Sequence, residues 1–199
     1  MDQSKPTDTP IQVSLPLTPG EGAPLSAEMH AQYQAVVGSL IYISICTRPD
    51  IAFAVHKLTR AMSAPTQPFW NGAMHVLRYL AGTAHMGLMY RPAVWPTSAL
   101  TAGPTAVVQC YHDADYDGDR GQRKSTTGWV YIFHGAAVAW SSKLQPLVTL
   151  STTESEYLAT AAAMREGLWF SKLYSELTGT TQQIQLWGDN QPSIATLKN

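Results

Sequence analysis

Apolar residues recur at helical spacing between residues 28 and 90 and at strand spacing beyond residue 106, and this change of period divides the chain. Glu28 to about Cys46, with Val36, Val37, Leu40, Ile41 and Ile43, reads as a first helix. Thr47-Arg48-Pro49-Asp50 offers a capping hydroxyl, a first-turn proline and a carboxylate where a helix start favours one, so a second helix is expected there. Its positions Ile51, Val55, Leu58 and Met62 share one helical face. Trp70, Met74, Leu77 and Ala81 repeat the spacing in a third helix over 66–81, stopped by Gly82. Met86 to Tyr90 is a candidate short strand, and Pro92 to Pro104 a loop or domain joint. Residues 1–27 scatter Pro6, Pro10, Pro16, Pro19 and Pro24 among Gly20 and Gly22, which predicts a disordered linker.

In the second half, Val107–Tyr111, Gly128–His134 and Ala136–Ser141 read as strands, with Gly135 in a tight turn. Ser151-Thr152-Thr153-Glu154 is a capping box, and Tyr157, Ala161, Met164 and Leu168 predict the buried face of a long helix ending near Gly179. Ile184–Trp187 is a fourth strand, followed by a helix from about Pro192. Three strands and then helix, strand, helix is an α/β layout with a mixed sheet. The expected domains are a linker over 1–27, a helical segment over 28–92 and an α/β domain over 106–199.

With 199 residues, 45% of them hydrophobic, the chain can bury one full core or two small ones, which argues against a disordered or fibrous class. Thirteen Lys and Arg against fourteen Asp and Glu give a net charge of -1, unlike an autonomous nucleic-acid binder with its basic excess. Cys46 and Cys110 have no zinc-ligand or disulfide-framework spacing and each reads as a buried free thiol. No uninterrupted apolar run of about eighteen residues exists, and the start lacks the pattern of a secretion signal. The expectation is an intracellular chain with no membrane partner.

Three carboxylates stand at informative places: Asp113 just past the first strand, Glu156 in the first turns of the long helix, and Asp189 at the end of the fourth strand. If the first and fourth strands are neighbours, the acids meet at one end of the sheet, where ligands of open α/β sheets bind. Clustered carboxylates repel, and hard divalent cations resolve the repulsion through oxygen ligands. A pair of ions about 3.5–4 Å apart can activate water and stabilise a leaving oxygen. The plain alternative is that each acid is a solvated or capping group. Asp113, Asp115, Asp117 and Gly118 imitate a calcium loop, but the twelfth position is Lys124 and a strand precedes them. Arg120, Arg123 and Lys124 either contact phosphates or neutralise the nearby aspartates, and Lys143 beside Trp140 could reach a nucleic-acid backbone. Strand alternation turns His112 away from Asp113 and gives it a structural role.

Specific runs sharpen this picture. VVGSLIYIS, TRPDIAFAVHKLTRAMSAPT and VLRYLAGT resemble the segment after the polymerase in copia-type LTR retrotransposon polyproteins. YHDADYDGD, RKSTTGWVYIFHG, AVAWSSKLQP, STTESEYLATAAA and GDNQPSIA are similar, in the same order, to the ribonuclease H domain of those polyproteins, and the resemblance covers about residues 29–199. It implies a ribonuclease H-like fold after a helical connection segment, hydrolysis of the RNA strand of an RNA/DNA hybrid, and two Mg²⁺ ions, with Mn²⁺ as a substitute. It places the family's acids on Asp113 of HDAD, Glu156 of TESEY and Asp189 of GDNQ, with the remainder of a reverse transcriptase polyprotein as partner. The family's fourth acid, final strand and final helix would fall after Asn199, so a truncated or catalytically inactive remnant, or a non-enzymatic interaction module, is the competing expectation. No Tyr-x-Asp-Asp polymerase signature occurs.

Overall fold

The computed structural model describes residues 5–12, 17–91, 107–119 and 123–197. The expected joint over 92–104 and Arg120 lie outside them. The chain divides into two compact units, Met1–Gly87 and Leu88–Asn199.

The first unit is helical: α1 (Ala27–Cys46), a 3₁₀ turn (Pro49–Ile51), α2 (Ala52–Thr59) and α3 (Gln67–Gly82). Ser26 caps α1 by accepting from the Met29 amide at 3.3 Å. Tyr33, Val37 and Leu40 then line its buried face, meeting Ile51, Val55 and Leu58 from the second segment, whereas Cys46, expected to be buried, is exposed because it ends the helix off that face. Thr47 does not cap that segment; it ends α1, and Asp50 instead takes the Arg48 guanidinium at 2.7 Å and the Tyr79 hydroxyl at 2.8 Å. The face of α3 is also turned by one position from expectation. Phe69, Ala73 and Val76 are buried, whereas Trp70, Met74 and Leu77 flank the core and Ala81 is exposed.

The leading segment is docked where described, contrary to the mobile linker expected of its prolines. Ile11, Leu17 and Leu25 pack on the helical core, and extended pairing joins Leu25 to Pro65 and Gln67 to Ala23 through amide bonds of 3.1 and 2.9 Å. Proline forbids helix here but not extended chain, and the intervening apolar residues supply the burial.

The second unit is α/β. Its strands β1 (Val108–Asp119), β2 (Lys124–Phe133), β3 (Ala136–Leu144) and β4 (Ile184–Trp187) form one mixed sheet in the order β3-β2-β1-β4. The first three are antiparallel neighbours, and β4 lies parallel to β1 after a crossover through α4 (Thr152–Thr178); α5 (Gln191–Leu197) follows. His134 and Gly135, both at positive φ (52° and 84°), make the two-residue turn between β2 and β3. The segment Met86–Tyr90 forms no strand, although the Tyr90 hydroxyl and the Arg91 amide donate to the carbonyls of Ala137 and His134.

The long helix buries a different face from the one its large apolar residues mark. Tyr157, Met164 and Leu168 are exposed, while Ala159, Thr160, Ala163 and Gly167 meet the sheet. Small residues win because Tyr131 lies across the contact, its hydroxyl donating to the Ala163 carbonyl at 2.6 Å. A Cβ on Gly167 would stand 2.6 Å from that hydroxyl oxygen, so the helix can approach only with glycine there.

Candidate functional site

Parallel pairing of β1 with β4 is what gathers the acids. Asp113 lies within β1, opposite Gly128, and not past its end as the sequence suggests, because the strand continues through Asp119. Asp189 follows β4 by two residues, and Glu156 comes from the beginning of α4. Carboxylate oxygens of Asp113, Glu156 and Asp189 lie within 4.8 Å of one another. The same continuous strand removes the calcium-loop alternative, since Asp113 and Asp115 are paired with Gly128 and Thr126.

Three local devices set Glu156. Ser151 accepts from the Glu154 amide at 3.1 Å, although the Glu154 carboxylate reaches the Leu150 amide rather than closing a full box on Ser151. Gln145, at the end of β3, donates one side-chain amide to the Ser155 carbonyl at 2.9 Å and to the Thr127 hydroxyl at 3.0 Å, which ties the first turn of α4 to the sheet. The Ala114 amide then donates to Glu156 Oε1 at 3.3 Å and to Asp113 Oδ1 at 2.8 Å, so one backbone N–H serves two acids.

Glu156 is 6% exposed, and its Oε2 is buried with no hydrogen-bond partner among the described residues. Burial first, and then the charge of Asp113 with a smaller contribution from Asp189, pushes its carboxyl up from 4.5 to about 7. A buried, orphaned carboxylate oxygen beside two exposed carboxylates is a hard-oxygen donor set with a ligand position to fill, and it fits a divalent cation such as Mg²⁺.

His112 is buried on the α4 side of β1, while Asp113 is exposed, as alternation requires. Burial lowers its pKa, against the pull of Asp113 and Asp189. Its neighbours are Thr160, whose Oγ1 is 3.5 Å from Nδ1, and Gly188. Among the expected basic contacts, Arg123 sits exposed in a left-handed conformation (φ 52°) at the start of the β2 hairpin arm, and Lys124 opens β2 opposite Asp119. Lys143 is exposed on β3 opposite Thr127, itself opposite Ala114, so it lies two strands from the acid row. Sequence reasoning missed Gln145 and the His112–Gly188 contact. The only local signal was a glycine immediately ahead of Asp189.

An α/β unit whose parallel strand pair and crossover helix each deliver one acid to a common point defines a candidate hard-cation site. Comparison with known proteins then supplies relatives: those 35–37% identical over most of the chain are copia-type, retrovirus-related Pol polyproteins from transposons, and the chain matches a short segment of each. It is 35% identical along its full length to the retrovirus-related Pol polyprotein from transposon TNT 1-94 of Nicotiana tabacum, of which it spans 14%. It is 37% identical over 87% of its length to the Pol polyprotein from transposon RE2 of Arabidopsis thaliana, of which it spans 11%. It is also 38% identical over 70% of its length to secreted RxLR effector protein 161 of Plasmopara viticola, covering 91% of that protein. No family model matches the chain, and no solved structure matches it significantly. No helix among the described residues is long and apolar enough to cross a membrane.

Proposed function

We propose that the α/β unit is a ribonuclease H-like module that hydrolyses the RNA strand of RNA/DNA hybrids, and that the helical unit is the connection segment following a reverse transcriptase. The observation that carries this reading is the meeting of Asp113, Glu156 and Asp189 within 4.8 Å, with Glu156 Oε2 left unpartnered. The strand order β3-β2-β1-β4, with α4 as crossover, agrees with that fold.

In this reading two divalent cations would be held by Asp113, Glu156 and Asp189, with Asp113 shared and Glu156 and Asp189 serving one each. Such ions, when bound, activate water for attack on a phosphodiester and offset charge on the leaving oxygen. The chain's own residues prepare the site. Asp113 and Asp189 present exposed oxygens that a phosphate-bearing substrate can approach, while Glu156 is fixed from behind by Ala114 and, through Ser155, by Gln145. With its carboxyl pushed up to about 7, Glu156 holds a proton for part of the time near neutral pH, and binding a cation there would require that proton to leave. Arg123, Lys124 and Lys143, with Arg120, supply phosphate contacts. Hydrolysis would leave a 3′-hydroxyl and a 5′-phosphate.

The test is Mg²⁺-dependent cleavage of a labelled RNA/DNA hybrid by the chain, with Asp113→Asn as control. Cleavage by the parent and loss of it in the variant are expected, and equal activity of the two removes Asp113 from the mechanism. The net charge of -1 favours a second reading, a module that binds hybrid weakly without turnover and depends on the rest of a polyprotein. Hybrid binding with no cleavage at any divalent-cation concentration would select it.

A further inference from the structure

The acids arrive on three separate elements, so something must set the spacing between those elements. His112 is the side chain placed to do so. It belongs to β1, next to Asp113; its Nδ1 is 3.5 Å from the Thr160 hydroxyl on α4; and its ring lies against Gly188, which immediately precedes Asp189. Thr160 is one helical turn beyond Glu156 and donates to the Glu156 carbonyl at 2.9 Å. A single buried imidazole therefore touches the carrier of the second acid and the carrier of the third while sitting on the carrier of the first.

The contact with Gly188 leaves no slack. A Cβ at that position would stand 2.6 Å from His112 Cε1 and 3.0 Å from Nε2, closer than carbon atoms tolerate. Relief would require either the ring to swing out of a site that is 7% exposed, or the loop bearing Asp189 to lift from the sheet. The ring is enclosed by β1, α4 and the loop, so a shift of either ring or loop alters the spacing that the contact sets.

We propose that His112 and Gly188 form a positioning contact that sets the height of Asp189 relative to Asp113 and Glu156, and thereby the affinity of the acid site for divalent cations. His112 is a positioning residue in this account; it holds the ligand-bearing segments and does not itself ligate. The inference rests on the acid-site reading given above. It goes further by making the residue pair, and not the three acids alone, a determinant of cation binding. Outer-shell changes of this kind cost about 10- to 100-fold in metal affinity.

The experiment is Mn²⁺ titration of the full chain, followed by electron paramagnetic resonance and calorimetry, with melting temperature in chelator recorded for each variant. Gly188→Ala is expected to weaken Mn²⁺ binding by about 10-fold or more. The double variant G188A/H112A, which removes the ring the new methyl would strike, is expected to bind Mn²⁺ as His112→Ala does, the methyl costing nothing further once the ring is gone. A contact that served stability alone would lower the melting temperature in chelator and leave Mn²⁺ affinity unchanged, which would overturn the proposal. So would a double variant that binds more weakly than His112→Ala, since the methyl would then act without the ring. Should Gly188→Ala fail to fold, His112→Ala takes its place: weakened Mn²⁺ binding supports the positioning role and parental affinity refutes it. Absence of Mn²⁺ binding by the parent chain would overturn the acid-site reading and this inference together, whereas unchanged binding in the variant beside a binding parent sinks this inference alone.

Discussion

Glu156→Gln should stabilise the cation-free chain at alkaline pH, the reverse of what removing a well-placed ion-pairing acid does. The Glu156 carboxyl is pushed up from 4.5 to about 7 by burial and by Asp113, so its protonated form is favoured in the folded state. The resulting stabilisation is fully present below 4.5, where the unfolded chain is also protonated, and is lost as pH rises through about 7. At about 1.4 kcal/mol per pH unit the ceiling on that loss is about 3 kcal/mol. Asp113 and Asp189 are exposed, and solvent screening of their repulsion brings the expectation to about 1–2 kcal/mol. Glutamine keeps an acceptor for the Ala114 amide and carries no charge, so the variant should show a flat profile where the parent declines. Divalent cations invert the comparison. Mg²⁺ at a hundred times its dissociation constant would stabilise the parent by about 2.7 kcal/mol, increasingly as pH rises, and the variant by much less. Thermal unfolding of both proteins in chelator and in saturating Mg²⁺, across the interval from 4.5 to about 7 and above it, reads all four slopes. A variant less stable than the parent in chelator at the alkaline end would refute the electrostatic account of the site.

Gly167→Ala should destabilise the α/β unit by about 1–2 kcal/mol: helix propensity gains about 1 kcal/mol, but overpacking against the Tyr131 hydroxyl, 2.6 Å from the new Cβ, outweighs it. Urea unfolding followed by tyrosine and tryptophan fluorescence measures the balance, and a stabilised variant would contradict the packing. Asp50→Ala should cost the helical unit about 2 kcal/mol by stranding Arg48, whose side chain is 8% exposed. Burial alone would raise the Asp50 carboxyl, but the Arg48 and Tyr79 hydrogen bonds together hold it below 3.8, so the difference from the parent should persist at neutral pH and close as pH falls below that value. Tyr33→Phe removes a 2.7 Å hydrogen bond to the Leu58 carbonyl; because the Ala61 amide also donates there, the loss in denaturant unfolding should stay near 1 kcal/mol.

What the sequence made legible follows from how local each signal is. Strand period, the turn at Gly135 and the Ser151 cap are set by neighbours in the chain, and the corresponding elements stand within a few residues of where pattern places them. β1 is the exception at its far end, where DADYDGD reads as loop by composition but stays extended through antiparallel pairing with β2 as far as Thr126 and again at Lys124. Which face of a helix is buried was less legible. Periodicity selects the largest apolar residues, but α4 lies over Tyr131 and must present Ala159, Ala163 and Gly167 to come close, leaving Leu168 73% exposed. The three acids are singled out by the resemblance added to their places near element ends, yet nothing in the local sequence around Asp113 identifies Gly188 as its neighbour's contact. That information exists only once β4 has paired with β1.

The acid site therefore draws its geometry from unlike sources, and they fail differently. Asp113 is held by a ladder of main-chain bonds to β2, which no single side-chain change removes. Glu156 depends on where α4 begins, and that is fixed by the Ser151 cap and by Gln145, a single buried amide spanning Thr127 and Ser155. Asp189 sits on a short connection with only four strand residues before it, braced by the imidazole under Gly188 and by Asn190, whose side chain accepts from the Ser193 amide at 2.9 Å. If the site binds a divalent cation as proposed, Asp189, which no sheet ladder or helix body carries, is where a packing change distant from any ligand atom would have the greatest leverage on affinity.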